Sequence, residues 1–237
     1  MYFLIGPLTG PNFLCVSGIL CVIWFAVIQK AINFEFVFIQ FDTGRVVTTL
    51  PLFPLSSIVL PGGQLPLRIF EPRYLSMVRG CLKAGTDFGI CLIESGSEVG
   101  QLASPYPYGT RVQIVDWDLD DSGLLMIVTL GVQRFRTVGT VVTADGYLSG
   151  EVELLAIEEE TAVPPCYSPL SQLLQRALEN VGPLMEYKEA DFADAVWVSN
   201  RLVELLPMSA AERHDFVSIG DPVERLAELQ KYIDKQS

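Results

Sequence analysis

The residues of this 237-residue chain that could do chemistry fall into four groups, and three of them lack the spacing their chemistry needs. The chain has one histidine, His214, so no mechanism that needs two can operate. A nucleophilic triad would have to use it. His214 falls in a short helix just after Ser209, and adjacent residues such as Asp215 do not face one another on a helix. Neither a G-x-S-x-G elbow nor an S-x-x-K pair occurs, so His214 reads as a surface residue. Cys15, Cys21, Cys81, Cys91 and Cys166 show no C-x-x-C spacing. Cys81 and Cys91 sit in apolar patterns and read as small core residues of a reduced protein. Asp116, Asp118, Asp120 and Asp121 surround a turn, and Glu158, Glu159 and Glu160 form a run further on. Both read as solvated faces, and the aspartates lack the glycine and distal glutamate of a calcium loop. The expectation is therefore no catalytic residue, no metal ligand and no cofactor.

The fourth group is basic: Arg68, Arg73, Arg79 and Lys83, with Arg134 and Arg136 as further members. One use would be RNA contact. The whole chain argues against it, because 16 Lys and Arg face 28 Asp and Glu, a net charge of -12, and phosphate neutralisation is the main term in nucleic-acid binding. Glu71 lies among these arginines, so ion pairing that fixes a strand-to-helix corner is the simpler role. Beside the cluster, Leu50–Leu67 supplies Leu52, Phe53, Leu55, Ile58, Val59, Leu60 and Leu65. That is apolar area for the exposed side chains of an unfolded polypeptide. Pro51, Pro54, Pro61 and Pro66 are expected to deny the segment continuous ladder bonding. For each apolar residue alone, closing a β core is the competing role. The binding set expected on this reading is Leu52, Phe53, Leu60, Leu65, Arg68, Phe70, Glu71, Arg73 and Tyr74.

The elements that must position these residues can be read from periodicity. Between Leu50 and Ile157 short apolar runs alternate with turn signals. The strands expected are Leu65–Phe70, Phe88–Ile93, Thr110–Trp117, Leu124–Leu130, Val132–Val138 and Tyr147–Ile157. One helix interrupts them, with Pro72 at its first position, a stripe of Tyr74, Leu75, Val78 and Leu82, and Gly85 at its end. Beyond the proline-rich stretch 161–169 the period changes to 3.6. Leu170–Val181, ended by Gly182-Pro183, and Phe192–Leu206 read as helices. Ser209 with Glu212 forms a capping box, and Asp221-Pro222 opens a last helix. The division expected is an extension over 1–45, a β-rich lobe over 46–160, a linker over 161–169 and a helical lobe over 170–237.

Residues 1–29 carry no charged side chain, and Phe13–Ile28 is almost wholly apolar. Its 16 residues fall short of the ~20 that span a bilayer comfortably, and no basic n-region or cleavage pattern marks a secretory signal. It reads as a membrane anchor through residues 12–29, as a buried element, or as translated sequence upstream of the true start. The first of these would place the protein at a membrane; otherwise a cytoplasmic location is expected.

The segment LPLFPLSSIVLPGGQLPLRIFEPRY, Leu50–Tyr74, resembles the opening of the N-terminal, substrate-binding domain of the Lon ATP-dependent protease. Further matches follow in order: Met77-Val78, Phe88-Gly89-Ile90, Leu92-Ile93, Gly109-Thr110, Gly131, Arg134-Phe135-Arg136, Tyr147 and Gly150. LPMSAAERHDFVSIGDPVERL near the end resembles the family's helical segment. The resemblance implies an α+β fold: a twisted, β-rich, PUA-like lobe (a pseudo-barrel) with one inserted helix, followed by a C-terminal helical bundle lobe. It also implies binding of unfolded or tagged polypeptides, with a protease as a further partner. No G-x-x-x-x-G-K-[ST] stretch exists to cradle nucleotide phosphates, and no Ser-Lys peptidase region follows. The chain thus reads as a free-standing, non-catalytic recognition module. An RNA-binding PUA-like protein and an uncharacterised hydrolase are the alternatives.

Overall fold

Pro51 and Pro54 lie inside the first strand of the computed structural model, which describes residues 46–100, 102–181 and 189–236. This strand, β1 (Val46–Leu55), pairs antiparallel with β6 (Leu148–Leu154) over Val46–Leu52 and parallel with β3 (Phe88–Ser95) over Leu52–Leu55. The two pairings overlap only at Leu52. Among the described residues each half of β1 therefore has one unpaired flank, the condition under which a strand tolerates a missing N–H. The prolines expected to break the ladder are thus accommodated by a change of neighbour.

The remaining strands are β2 (Gln64–Ile69), β4 (Ser104–Leu119) and β5 (Leu125–Val142), and the sheet order is β2-β5-β4-β3-β1-β6. The 18-residue β5 also pairs with β6, so the sheet curls back on itself without forming an even barrel. The sequence suggested two strands here, divided at Gly131; the structure has one. Gly131 is a point of close approach within it. Its N–H donates to Gly63 O at 2.8 Å, its O accepts from Gly62 N at 2.9 Å, and a Cβ would lie 2.2 Å from Leu60 O.

Helix α1 (Pro72–Ala84) enters between β2 and β3 with Pro72 in its first turn and Gly85 left-handed (φ 64°) at its end, as the sequence indicated. Its buried stripe is Tyr74, Met77, Val78 and Cys81, which pack on Phe53, Phe88, Ile90 and Ile127; Leu75 and Leu82 are only partly buried.

Four helices follow: α2 (Ser168–Val181), α3 (Ala195–Leu205), α4 (Ala210–Ser218) and α5 (Pro222–Gln236). The capping box at Ser209 forms, with Ser209 Oγ accepting from Glu212 N and Glu212 Oε2 accepting from Ser209 N. Asp221 Oδ1 accepts from Val223 N at 2.8 Å. The helices do not enclose a core of their own. Leu174, Val198, Leu202, Val217, Leu226 and Leu229 share one cluster with Ile58, Leu60 and Leu92 from the sheet side. Residues 44–237 accordingly form one compact unit. Stretch 161–169 is fastened at its start: Ala195 N donates to Thr161 O and Val163 N to Ala193 O. The apolar extension 1–45 and the helix stop at Gly182-Pro183 lie outside the described residues. Among the described residues no helix is long and apolar enough to cross a membrane.

Candidate functional site

A groove of about 210 Å³ opens where the end of β1, strand β2 and the first turn of α1 meet. Its floor is Phe53, Leu55 and Tyr74, with the Phe53 and Tyr74 rings stacked at 4.1 Å. One wall is Pro66–Ile69 of β2, and the rim carries Phe70, Arg68, Glu71 and Glu98. Phe70 is 54 % exposed, an unusual position for a large aromatic ring. β2 ends the sheet, pairing among the described residues only with β5. Thr129 Oγ1 donates to Leu65 O, so the odd-numbered residues of β2 turn their backbone groups toward β5. In a strand the backbone groups of alternate residues point to opposite sides. Gln64, Pro66 and Arg68 therefore present theirs on the open flank beside the groove, where Pro66 lacks an N–H without costing a ladder bond.

The corner that shapes this groove is held by paired charges. Arg73 Nε donates to Glu71 Oε2 at 2.7 Å, Glu71 Oε1 accepts from Gly100 N at 2.9 Å, and the Arg73 guanidinium lies 4.7 Å above the Tyr74 ring. Burial raises the Tyr74 hydroxyl pKa, against the opposing pull of Arg73. Glu98 Oε1 accepts from Ser56 N at 2.5 Å and from Ser56 Oγ. Arg68 leans away to Asp120 at 2.7 Å. Both groove carboxylates thus already hold donors. What the groove offers is contact: an apolar floor, an exposed ring and a strand edge.

Of the nine residues expected to bind, Phe53, Arg68, Phe70, Glu71 and Tyr74 line this groove, and Arg73 supports it from behind. Leu65 packs partly buried on the α1 core. Leu52 and Leu60 are not brought to it: Leu52 is buried with Phe135 and Leu148, Leu60 with the helices. Ile58 and Val59 are buried as well, so this stretch of the segment closes the core, while Phe53 and Leu55 reach the groove floor. Leu55, Ser57, Pro66, Leu67, Ile69 and Glu98 also line the groove and lie outside the expected set. Glu98 sits in a Ser- and Gly-rich loop that carries no signal of its role; the parity of β2 could have indicated Pro66.

The basic concentration divides: Arg68 pairs with Asp120 and Arg73 with Glu71, while Arg79 and Lys83 stay exposed on α1. Arg134 is 4 % exposed and pairs with Glu158 at 3.1 Å, so neither an RNA-facing arginine nor a solvated glutamate describes these two. Arg136 pairs with Glu153 at 2.7 Å. His214 is not a free surface residue: its ring stacks on Tyr106 at 4.4 Å, and its Nδ1 lies 3.7 Å from Asp215 Oδ1, beyond hydrogen-bond reach. Among the described residues no three His, Cys, Asp or Glu side chains converge as a metal would need. Burial pushes the Cys91 thiol up to about 12, a core cysteine.

The profile of the ATP-dependent protease La (LON) substrate-binding domain matches residues 49–235. The crystal structure of a Lon N-terminal domain protein from Xanthomonas campestris superposes with a TM-score of 0.65 at 36% identity, over 78% of this chain and 98% of that one. The N-terminal domain of the Mycobacterium avium complex Lon protease superposes with a TM-score of 0.55 at 14% identity, over 78% and 97% of the two chains, a likeness of fold. Cereblon from Xenopus tropicalis is 28% identical over 110 residues, 45% of this chain and 24% of that protein. Cereblon from Danio rerio is 30% identical over 113 residues, 46% and 26%. The chain spans about a quarter of the length of these curated relatives.

Proposed function

The chain belongs to the family of the Lon substrate-binding domain, and from that premise we propose that it is a non-catalytic module that binds polypeptide, unfolded or tagged, in the groove at the open edge of β2. It would serve as an adaptor that delivers such chains to a protease or to quality control. On this reading the curled sheet is a PUA-like pseudo-barrel that carries the capture surface, and residues 170–237 brace it. The observation that carries the reading is Phe70, an exposed ring set between an apolar floor and free strand backbone. Peptide recognition by strand addition needs that combination: main-chain bonds for affinity and a pocket for specificity. The groove is also smaller than the roughly 300–1,000 Å³ of small-molecule sites, which suits one or two side chains of a longer ligand.

The test is a titration of the full chain with a reduced, carboxymethylated model protein that cannot refold, read by fluorescence anisotropy. Binding at micromolar concentration, weakened about tenfold by Phe70→Ser, is expected. Absence of binding up to ~100 μM would defeat the reading. Unaltered binding by the variant would move the site elsewhere.

A further inference from the structure

A second strand edge lies across β5 from the groove. β4 pairs with β3 only as far as Val112; from Gln113 to Leu119 it pairs, among the described residues, with β5 alone. Val115–Leu119 are all exposed, including Trp117 at 57 % and Leu119 at 56 %. The register slips between Ile114 and Asp116, a bulge at the start of the free stretch. Trp117 N–H donates to Asp116 Oδ1 at 2.9 Å and Leu119 N–H to Asp118 Oδ1 at 2.7 Å. These two amides thus turn to the open flank, where carboxylates of the same strand cap them. Bulges and charged side chains are devices that keep an edge from pairing indiscriminately.

We propose that this edge of β4 accepts an extended polypeptide segment in which basic and apolar side chains alternate. The inference rests on the polypeptide-binding reading and gives it a second contact of defined chemistry. Carbonyls of an incoming strand would take the Trp117 and Leu119 N–H groups, which frees the Asp116 and Asp118 carboxylates. A neutral or acidic strand would leave those two anions desolvated and unpaired, whereas lysine or arginine side chains would take them. Strand alternation puts Asp116 and Asp118 on one face and Trp117 and Leu119 on the other, so cations and apolar groups must alternate with period two. Asp120 is not part of the demand, because Arg68, Ser122 and Leu124 already hold it. A second copy of this chain is a poor occupant, since its edge would bring the same aspartates, like charge against like.

The experiment uses the full chain and a fluorescein-labelled peptide of alternating lysine and valine, with anisotropy as the readout. A glutamate–valine peptide and a lysine–valine peptide N-methylated on alternate amides are the comparators. Both comparators are expected to bind about tenfold or more weakly. Asp116→Asn with Asp118→Asn should erase the preference for lysine, while Glu159→Gln with Glu160→Gln, the same change in net charge at exposed residues elsewhere, should keep it. Trp117→Ser should weaken binding. Equal binding of the lysine and glutamate peptides, or indifference to both β4 variants, would overturn the proposal. Loss on Phe70→Ser alone would assign the peptide to the groove, overturning the β4 site while leaving polypeptide binding intact. A concentration-dependent dimer in sedimentation, abolished by Trp117→Ser, would make a second copy the occupant and would also overturn it.

Discussion

Two regions of this molecule use the same pair of residues, arginine and glutamate, to opposite ends. At the groove corner Arg73 and Glu71 are 11% and 13% exposed, and each makes a further contact beyond the ion pair. Arg73 covers the Tyr74 ring, and Glu71 holds the Gly100 amide. Between sheet and helices, Arg134, Glu158 and Arg225 are 4%, 7% and 1% exposed. There the carboxylate of Glu158 is shared by both guanidinium groups. Arg134 donates to Val217 O at 2.7 Å and Ile219 O at 2.6 Å, and Arg225 to Asn200 Oδ1 at 2.6 Å and Ile219 O at 2.9 Å. The corner pair shapes a surface; the buried triad sets how the α4–α5 connection seats on β5. Buried ions add little net stability over apolar residues of the same volume, yet breaking one is costly because its partner stays buried and unpaired. The triad therefore serves specificity of packing more than strength.

The largest expected effect follows from that asymmetry. Glu158→Ala strands two buried guanidinium groups and should cost about 3–5 kcal/mol in urea unfolding. Replacing all three residues together, with Met, Leu and Met, should cost less than the single change. If the triple variant is the weaker one, the ions bind the interface by attraction rather than by mutual satisfaction, and the contrast between the two regions fails.

A second interfacial pair adds a pH dependence. Glu204 Oε1 accepts from Arg201 Nη2 at 2.9 Å and from Leu60 N at 2.5 Å, with Arg213 also near. Burial outweighs these and raises its pKa from 4.5 to about 7. A carboxyl raised in the folded state favours folding when protonated. The contribution is fully present below about pH 4.5 and is lost as pH rises through about 7. Thermal midpoints should fall across that window, by the equivalent of up to about 3 kcal/mol, and Glu204→Gln should flatten the slope. Asp120, held down at about 2 by Ser122 and Leu124, acts in the opposite sense and only in acid, so the two windows separate. A slope that persists in Glu204→Gln would place the titration elsewhere.

The third change tests the corner itself. Arg73→Ala removes a charge-assisted hydrogen bond and the cover over Tyr74. A cost of about 1–2 kcal/mol is expected in the same unfolding assay, below that of Glu158→Ala. An equal cost would erase the distinction between the two regions.

Much of the frame was legible because it rests on local chemistry. Pro72 and Gly85 bracket α1, Ser209 with Glu212 caps α4, and the parity of Leu148–Leu154 marks β6. What stayed hidden depends on partners far away in sequence. Glu158 and Arg225 are 67 residues apart, and nothing near either tells a paired, buried charge from a solvated one. Gly131 divides two expected strands until the 60–63 loop is known to press on it. The candidate site was half legible for the same reason. Phe70–Tyr74 stood out as a local motif, whereas Leu52 and Leu60 are apolar in either role, and only the fold shows that they face the interior.

The smallest expected effect carries the most information about function. Phe70 follows directly on β2 and precedes α1, and more than half of its surface meets solvent. A core ring truncated to a small residue costs roughly 3–5 kcal/mol, whereas an exposed one away from caps and ion pairs changes stability within about 0.5 kcal/mol. Phe70→Ser should therefore leave the urea midpoint nearly unmoved, although its neighbour Glu71 anchors the corner. If stability drops by more than about 1 kcal/mol, Phe70 packs on the groove floor as part of the fold, and both regions are then structural. If stability holds while affinity for an unfolded chain falls, the ring is an apolar surface that the fold does not need for itself. A large aromatic side chain kept in water without a folding role is what a contact surface requires.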